Sequence, residues 1–147
     1  MDPFLQVQPV AILIVEDNPG DVRLIKEVFK DGKVVNSLIV AKDGVEALAI
    51  LRDPSNEPPD LILLDLNLPR KTGLEVLDEI KNDPGLKRIP VIVLTTSSNE
   101  EDVLKSYNLF ASAYLTKPVD LNEFIAVVRK LENFWLTVVK FPMKRDR

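Results

Sequence analysis

At 147 residues, with 46% apolar and 29% charged side chains, the chain has the size and balance of one globular domain with a real core. Its net charge of −4 argues against a general binder of nucleic-acid backbones, and no apolar run reaches the roughly 20 residues of a membrane span. The absence of cysteine and histidine excludes disulfides, thiol chemistry, histidine acid/base catalysis, His-ligated zinc and Ser-His-Asp triads. These limits, with no basic signal-peptide region in Met1 to Pro9, predict a cytoplasmic domain that works with carboxylates, hydroxyls and lysines.

The run from Val10 to Val15 is continuously apolar and reads as a buried strand ending in Glu16-Asp17. Asn18-Pro19 follows as an N-cap with proline at the first helical position, and Val22, Ile25, Val28 and Phe29 give that helix its apolar face until Gly32. Val34 to Val40 predicts a strand nearer an edge, interrupted by Asn36 and Ser37. Asp43-Gly-Val-Glu46 has the pattern of a capping box opening a helix through Leu51, which Pro54 closes. Leu61 to Leu64 is a strand covered on both faces, ending in Asp65, and Pro69 limits further ladder pairing. A second capping box, Thr72-Gly-Leu-Glu75, starts a helix through Leu77 and Ile80 that stops near Pro84. Ile89 to Leu94 is a fourth buried strand leading into Thr95-Thr96-Ser97. Ser98 and Glu101 can cap a helix through Leu104 and Tyr107, Ala113 to Thr116 makes a short fifth strand before Lys117-Pro118, and Asp120 caps a long last helix.

Alternation of strand and helix five times over means α/β architecture, a single doubly wound five-stranded parallel sheet joined by right-handed crossovers. The domain is expected to span 10–139, with an N-terminal extension at 1–9 and a basic tail at 140–147. In such a sheet all carboxyl ends share one edge, where open α/β sheets bind ligands. Glu16, Asp17, Asp65, Thr95 and Lys117 all fall there. Three carboxylates that close repel one another unless a cation intervenes, and an all-oxygen set without His or Cys suits Mg²⁺. A phosphoryl group on Asp65 would then meet Mg²⁺, the Lys117 ammonium and the Thr95 hydroxyl on different oxygens.

The sequence resembles a response regulator receiver domain over residues 10 to 135. The matching motifs are Ile14-Val-Glu-Asp17, Leu63-Leu-Asp-Leu-Asn-Leu-Pro69 with Gly73, Val93-Leu-Thr-Thr96 and Tyr114-Leu-Thr-Lys-Pro118. All four in this order and spacing are highly specific. The resemblance implies a flavodoxin-like strand order 2-1-3-4-5 with five helices, the last extended. It implies Asp65 as phosphoacceptor, served by a sensor histidine kinase or a histidine phosphotransfer protein, in a chain that catalyses only its own phosphorylation and dephosphorylation. It further implies Mg²⁺ ligation by Asp17, Asp65 and the Asn67 backbone carbonyl, with Glu16 acting through water. Thr95 and Tyr114 would be the switch pair, and the Lys117-Pro118 bond would be cis. Asn67 and Ser97, flanking the site, are expected to help set the phosphate's lifetime. Within the family the chain is most similar to stand-alone regulators of bacterial phytochrome-type kinases, on Asn18-Pro-Gly-Asp21, Leu66-Asn-Leu-Pro69 and Asn133-Phe-Trp-Leu136. It departs from the family at Phe110, where receivers usually carry glycine ahead of the fifth strand. The turn there is either rebuilt with an aromatic at the surface, or Phe110 folds back over the core edge.

Other functions fit less well. An aspartyl phosphohydrolase wants a second acid two residues after its nucleophile, where this chain has Asn67. A flavin-binding domain wants a phosphate-cradling loop after the first strand, where Glu16-Asp17 would repel the phosphate. The remaining alternative is a degenerate receiver that binds partners without phosphorylation, though such a module need not keep the whole acidic, threonine and lysine set. The last helix carries Leu121, Phe124, Val128, Leu131, Trp135 and Val138 at alternating spacings of three and four, a heptad seam. With Phe134 and Leu136 beside it, that seam predicts a homodimer, the alternative being a tail folded back over its own domain, and the charge and the lack of a membrane span predict no nucleic-acid or membrane partner.

Overall fold

The computed structural model describes residues 10–31, 36–95 and 111–129. Five strands, β1 (Val10–Val15), β2 (Asn36–Ala41), β3 (Leu61–Asp65), β4 (Val91–Thr95) and β5 (Ala113–Thr116), form one parallel sheet in the order β2-β1-β3-β4-β5. The described helices are α1 (Pro19–Asp31), α2 (Gly44–Arg52), α3 (Gly73–Lys81) and α4 (Leu121–Arg129). Strand order and class are those expected. The helix anticipated through Leu104 and Tyr107, Gly32, and the last helix beyond Arg129 lie outside the described residues.

Period-2 alternation divides the apolar runs between two cores. Leu13, Val15, Ile62, Leu64, Val91 and Val93 face α2 and α3, while Ile12, Ile14, Leu61, Leu63, Ile92 and Leu94 face α1 and α4. Every residue of β3 is buried, which is why its sequence shows no polar face. On the second face the Phe29 and Phe124 rings meet edge to face, 4.8 Å apart at 86°, tying α1 to α4 across the sheet's middle.

The helix starts follow their capping chemistry, with one correction. Asn18 Oδ1 accepts from the Asp21 N–H at 3.1 Å, and Asp120 Oδ1 accepts from the Glu123 N–H at 3.1 Å. Thr72 and Glu75 form a complete capping box. The Asp43-to-Glu46 pattern makes only half of one: Asp43 Oδ1 accepts from the Glu46 N–H at 2.8 Å, but the Glu46 carboxylate reaches back one residue further, to the Lys42 N–H at 2.7 Å. Thr72→Ala should therefore cost about 1 kcal/mol of stability in urea denaturation, the usual worth of an N-cap side chain. An unchanged midpoint would contradict that role.

Candidate functional site

Strand register assembles the site. Val15 pairs with Leu64 across β1 and β3, so the next residues, Glu16 and Asp65, leave adjacent strands side by side. Asp65 pairs with Leu94 on β4, and Thr95 pairs with Thr116 on β5, directly before Lys117. The cis Lys117-Pro118 bond expected from the resemblance is present. Of Thr95 only the backbone position is described; it closes β4 on the same edge.

The Lys117 ammonium stands among three carboxylates. Its Nζ lies 2.5 Å from Glu16 Oε1, 3.1 Å from Asp21 Oδ2 and 3.3 Å from Asp65 Oδ2. Glu16 and Asp65 are 1% and 3% exposed, and the Lys117 side chain is 6% exposed, so these charges interact with little solvent screening. Burial pushes the Glu16 carboxyl above its ordinary range; Lys117 opposes that shift and the neighbouring Asp65 charge adds to it. Burial also pulls the Lys117 pKa down, but the Glu16 bond, the Asp65 and Glu16 charges and the Asp21 bond together more than reverse it. The lysine is held charged.

Asp17 points outward from the same edge, and one carboxylate oxygen each from Glu16, Asp17 and Asp65 lie within 4.8 Å of one another. This all-oxygen donor set, two buried carboxylates and one exposed, fits a hard divalent cation. Asn67 sits beside it in the loop after β3, its N–H donating to Asp65 Oδ1 at 3.2 Å. That bond fixes one face of the Asp65 carboxylate. Tyr114 lies on β5, opposite Val93, and is 40% exposed.

Two features went unassigned in the sequence. Asp21, in the first turn of α1, reaches Lys117 from 96 residues away in sequence, and no local spacing signals that contact. Gly73 was noted only as part of a motif; a Cβ there would stand 2.3 Å from the Asp65 carbonyl oxygen and 2.6 Å from Leu66 Cα. The first residue of α3 thus packs against the backbone that carries Asp65. Ser97, Phe110, Phe134, Trp135, Leu136 and Val138 lie outside the described residues, so the rate-tuning role of Ser97, the turn at Phe110 and the dimer seam stay as sequence expectations. Among the described residues no helix is long and apolar enough to cross a membrane.

Comparison with known proteins agrees with this geometry. Residues 12–129 match the response regulator receiver domain. Response regulator Rcp1 of Synechocystis sp. is 51% identical over 138 residues, covering 91% of this chain and 94% of that protein. The crystal structure of the Mn²⁺-bound form of Rcp1 superposes with a TM-score of 0.74 at 49% identity, covering 92% of this chain and 100% of that one. The phosphorylated cyanobacterial phytochrome response regulator RcpA gives 0.75 at 46% identity, again covering 92% of this chain and 100% of its own. With a family match over four strand-end motifs, and a relative half identical along nearly its whole length, the chain belongs to the response regulator receiver family.

Proposed function

We propose that this chain accepts a phosphoryl group from a phosphohistidine donor onto Asp65, and that the donor is a sensor histidine kinase or phosphotransfer protein of a phytochrome-type pathway. The observation that carries this is the Asp65 carboxylate itself: buried, at the carboxyl edge of the central strand, with a charged lysine 3.3 Å away. An Asp65 oxygen forms the new bond to phosphorus as the bond from phosphorus to the donor nitrogen breaks, and the imidazole leaves with its electron pair. Lys117 is placed to stabilise charge gathering on the phosphoryl oxygens, and the Asn67 N–H orients the attacking carboxylate. Asp17, Asp65 and the Asn67 carbonyl would hold Mg²⁺, with Glu16 reaching it through water, and the ion would supply further charge stabilisation for the transferring group.

Output would follow from a shift between two surface states. The Thr95 hydroxyl bonding a phosphoryl oxygen and Tyr114 turning inward would favour the second state. The domain would span 10–139 and pair through Phe134, Trp135, Leu136 and Val138. The phytochrome assignment rests on the phytochrome response regulator RcpA, 46% identical to this chain, and the bacteriophytochrome response regulator AtBRR, 38% identical. A test is to mix the chain with a bacteriophytochrome kinase autophosphorylated on histidine. The label should move from kinase to this chain in Mg²⁺ and should not move from a chemotaxis-type kinase at comparable speed. Equal rates from both donors would overturn the phytochrome assignment; no transfer from either would overturn the acceptor role.

A further inference from the structure

Around Lys117 the contacts close into a ring. Glu16 Oε2 accepts from the Asn18 N–H at 3.2 Å, and Asn18 Oδ1 accepts from the Asp21 N–H at 3.1 Å. Asp21 Oδ2 in turn accepts from Lys117 Nζ at 3.1 Å, and Lys117 returns to Glu16 by the 2.5 Å ion pair. The loop between β1 and α1 is built to hold this shape. Pro19 begins the helix, the Val22 N–H bonds to the Asn18 carbonyl at 3.0 Å, and a Cβ on Gly20 would come within 3.1 Å of Asn18 Oδ1.

An ammonium has three donors, and three carboxylates surround this one. Two of the three have other duties once a phosphoryl group arrives. Asp65 forms the bond to phosphorus, and Glu16 belongs to the cluster that can hold the cation. Asp21 has neither duty. It approaches from the helix side, 30% exposed, with its backbone fixed by the Asn18 cap. A lysine on a flexible four-carbon stem has no preferred position of its own, so the remaining carboxylate decides where its charge stands.

We propose that Asp21 is a positioning residue for phosphoryl acceptance. It tethers the Lys117 ammonium through the Glu16-Asn18-Asp21-Lys117 ring, so that the charge keeps its place while Asp65 is being modified. This rests on the reading of Asp65 as acceptor and Lys117 as its charge partner. Asp21 touches Lys117 and not the reacting atoms, so it acts through the lysine.

The test uses the full chain with acetyl phosphate and Mg²⁺, and separately without either. Asp21→Ala should slow phosphoryl acceptance about 3- to 10-fold, the range for a charge-assisted bond that solvent partly screens. Asp21→Asn keeps an oxygen that accepts from the ammonium and should recover most of the rate. Asn18→Ala should slow acceptance less, and adding it to Asp21→Ala should slow nothing further, because both open the same ring. Independently of labelling, the ¹⁵N-edited ammonium signal of Lys117, assigned by its loss in Lys117→Arg, should be seen in the wild type at low temperature. In Asp21→Ala it should broaden or shift while the amide signals of Val15 and Leu64 stay in place. Wild-type speed in Asp21→Ala with an unmoved ammonium signal would overturn the tether. So would an Asp21→Asn protein as slow as Asp21→Ala, since that assigns the effect to charge alone. If the wild type itself takes no label, the acceptor reading fails, and the ammonium signal still decides the tether.

Discussion

Asp65→Asn should take no phosphoryl label, a loss of about a thousandfold or more, as expected when the attacking group itself is removed. The substitution is nearly isosteric, so the buried pocket stays filled, but the amide oxygen is a poor nucleophile and a weaker ligand for a hard cation. Its effect on folding should have a different sign. The Asp65 charge sits close enough to Glu16 to push that carboxyl upward, so neutralising it relieves a repulsion between two buried acids. Lys117 keeps Glu16 at 2.5 Å and Asp21 at 3.1 Å. The variant should therefore unfold in urea at the same or higher concentration than the wild type while being inert to phosphoryl donors. Labelling at the wild-type rate would remove Asp65 from its role. A large loss of stability would mean that the Asp65 charge is needed to hold the site together.

Gly73→Ala should damage fold and site at once. A Cβ at Gly73 would stand 2.3 Å from the Asp65 carbonyl oxygen and 3.0 Å from its carbonyl carbon, and neither backbone atom can rotate away. The Gly73 N–H also donates to the Leu66 carbonyl at 3.1 Å, which pins the start of α3 to the chain just past β3. An added methyl must push helix and strand apart. The expected cost is about 3 kcal/mol, the upper part of the range for overpacking a tight contact. Because the displaced backbone carries Asp65, phosphoryl acceptance should fall even in the fraction that remains folded. Gly44→Ala is the informative companion. Its Cβ would meet the Val76 side chain at 2.5 Å and the Lys71 carbonyl at 2.7 Å instead of the Asp65 backbone, so it should destabilise with a smaller loss of acceptance by folded protein than Gly73→Ala. Urea midpoints and labelling rates, measured on the three proteins together, check both expectations. A Gly73→Ala protein as stable as the wild type would contradict the close approach.

The difference between those glycines shows what a linear sequence carries. The sheet was legible because burial on both faces leaves uninterrupted apolar runs, as in Val10–Val15 and Leu61 to Leu64, and because parallel strands place every carboxyl end on one edge. That alone brought Glu16, Asp17, Asp65 and Lys117 together. Caps were legible where a side chain and its target are three residues apart, as at Thr72, but the Glu46 carboxylate chose Lys42 over Asp43, which spacing cannot decide. Asp21 was missed because an acidic residue in a helix's first turn already has an ordinary explanation in the helix dipole. Its partner lies 96 residues away, and only the folded chain shows the pairing. Arg70 was likewise invisible: it takes a positive φ of 68° in the loop after Asp65, where no glycine marks the turn, and its guanidinium pairs with Asp43 at 3.5 Å.

The most direct measurement is to incubate the wild-type chain with acetyl phosphate, with Mg²⁺ or with excess chelator, and to map any modification by intact mass followed by borohydride trapping of acyl phosphates. The account predicts one phosphoryl group per chain, carried by Asp65, in Mg²⁺ alone. No mass gain, equal gain in chelator, or a phosphate carried by any other residue would contradict it.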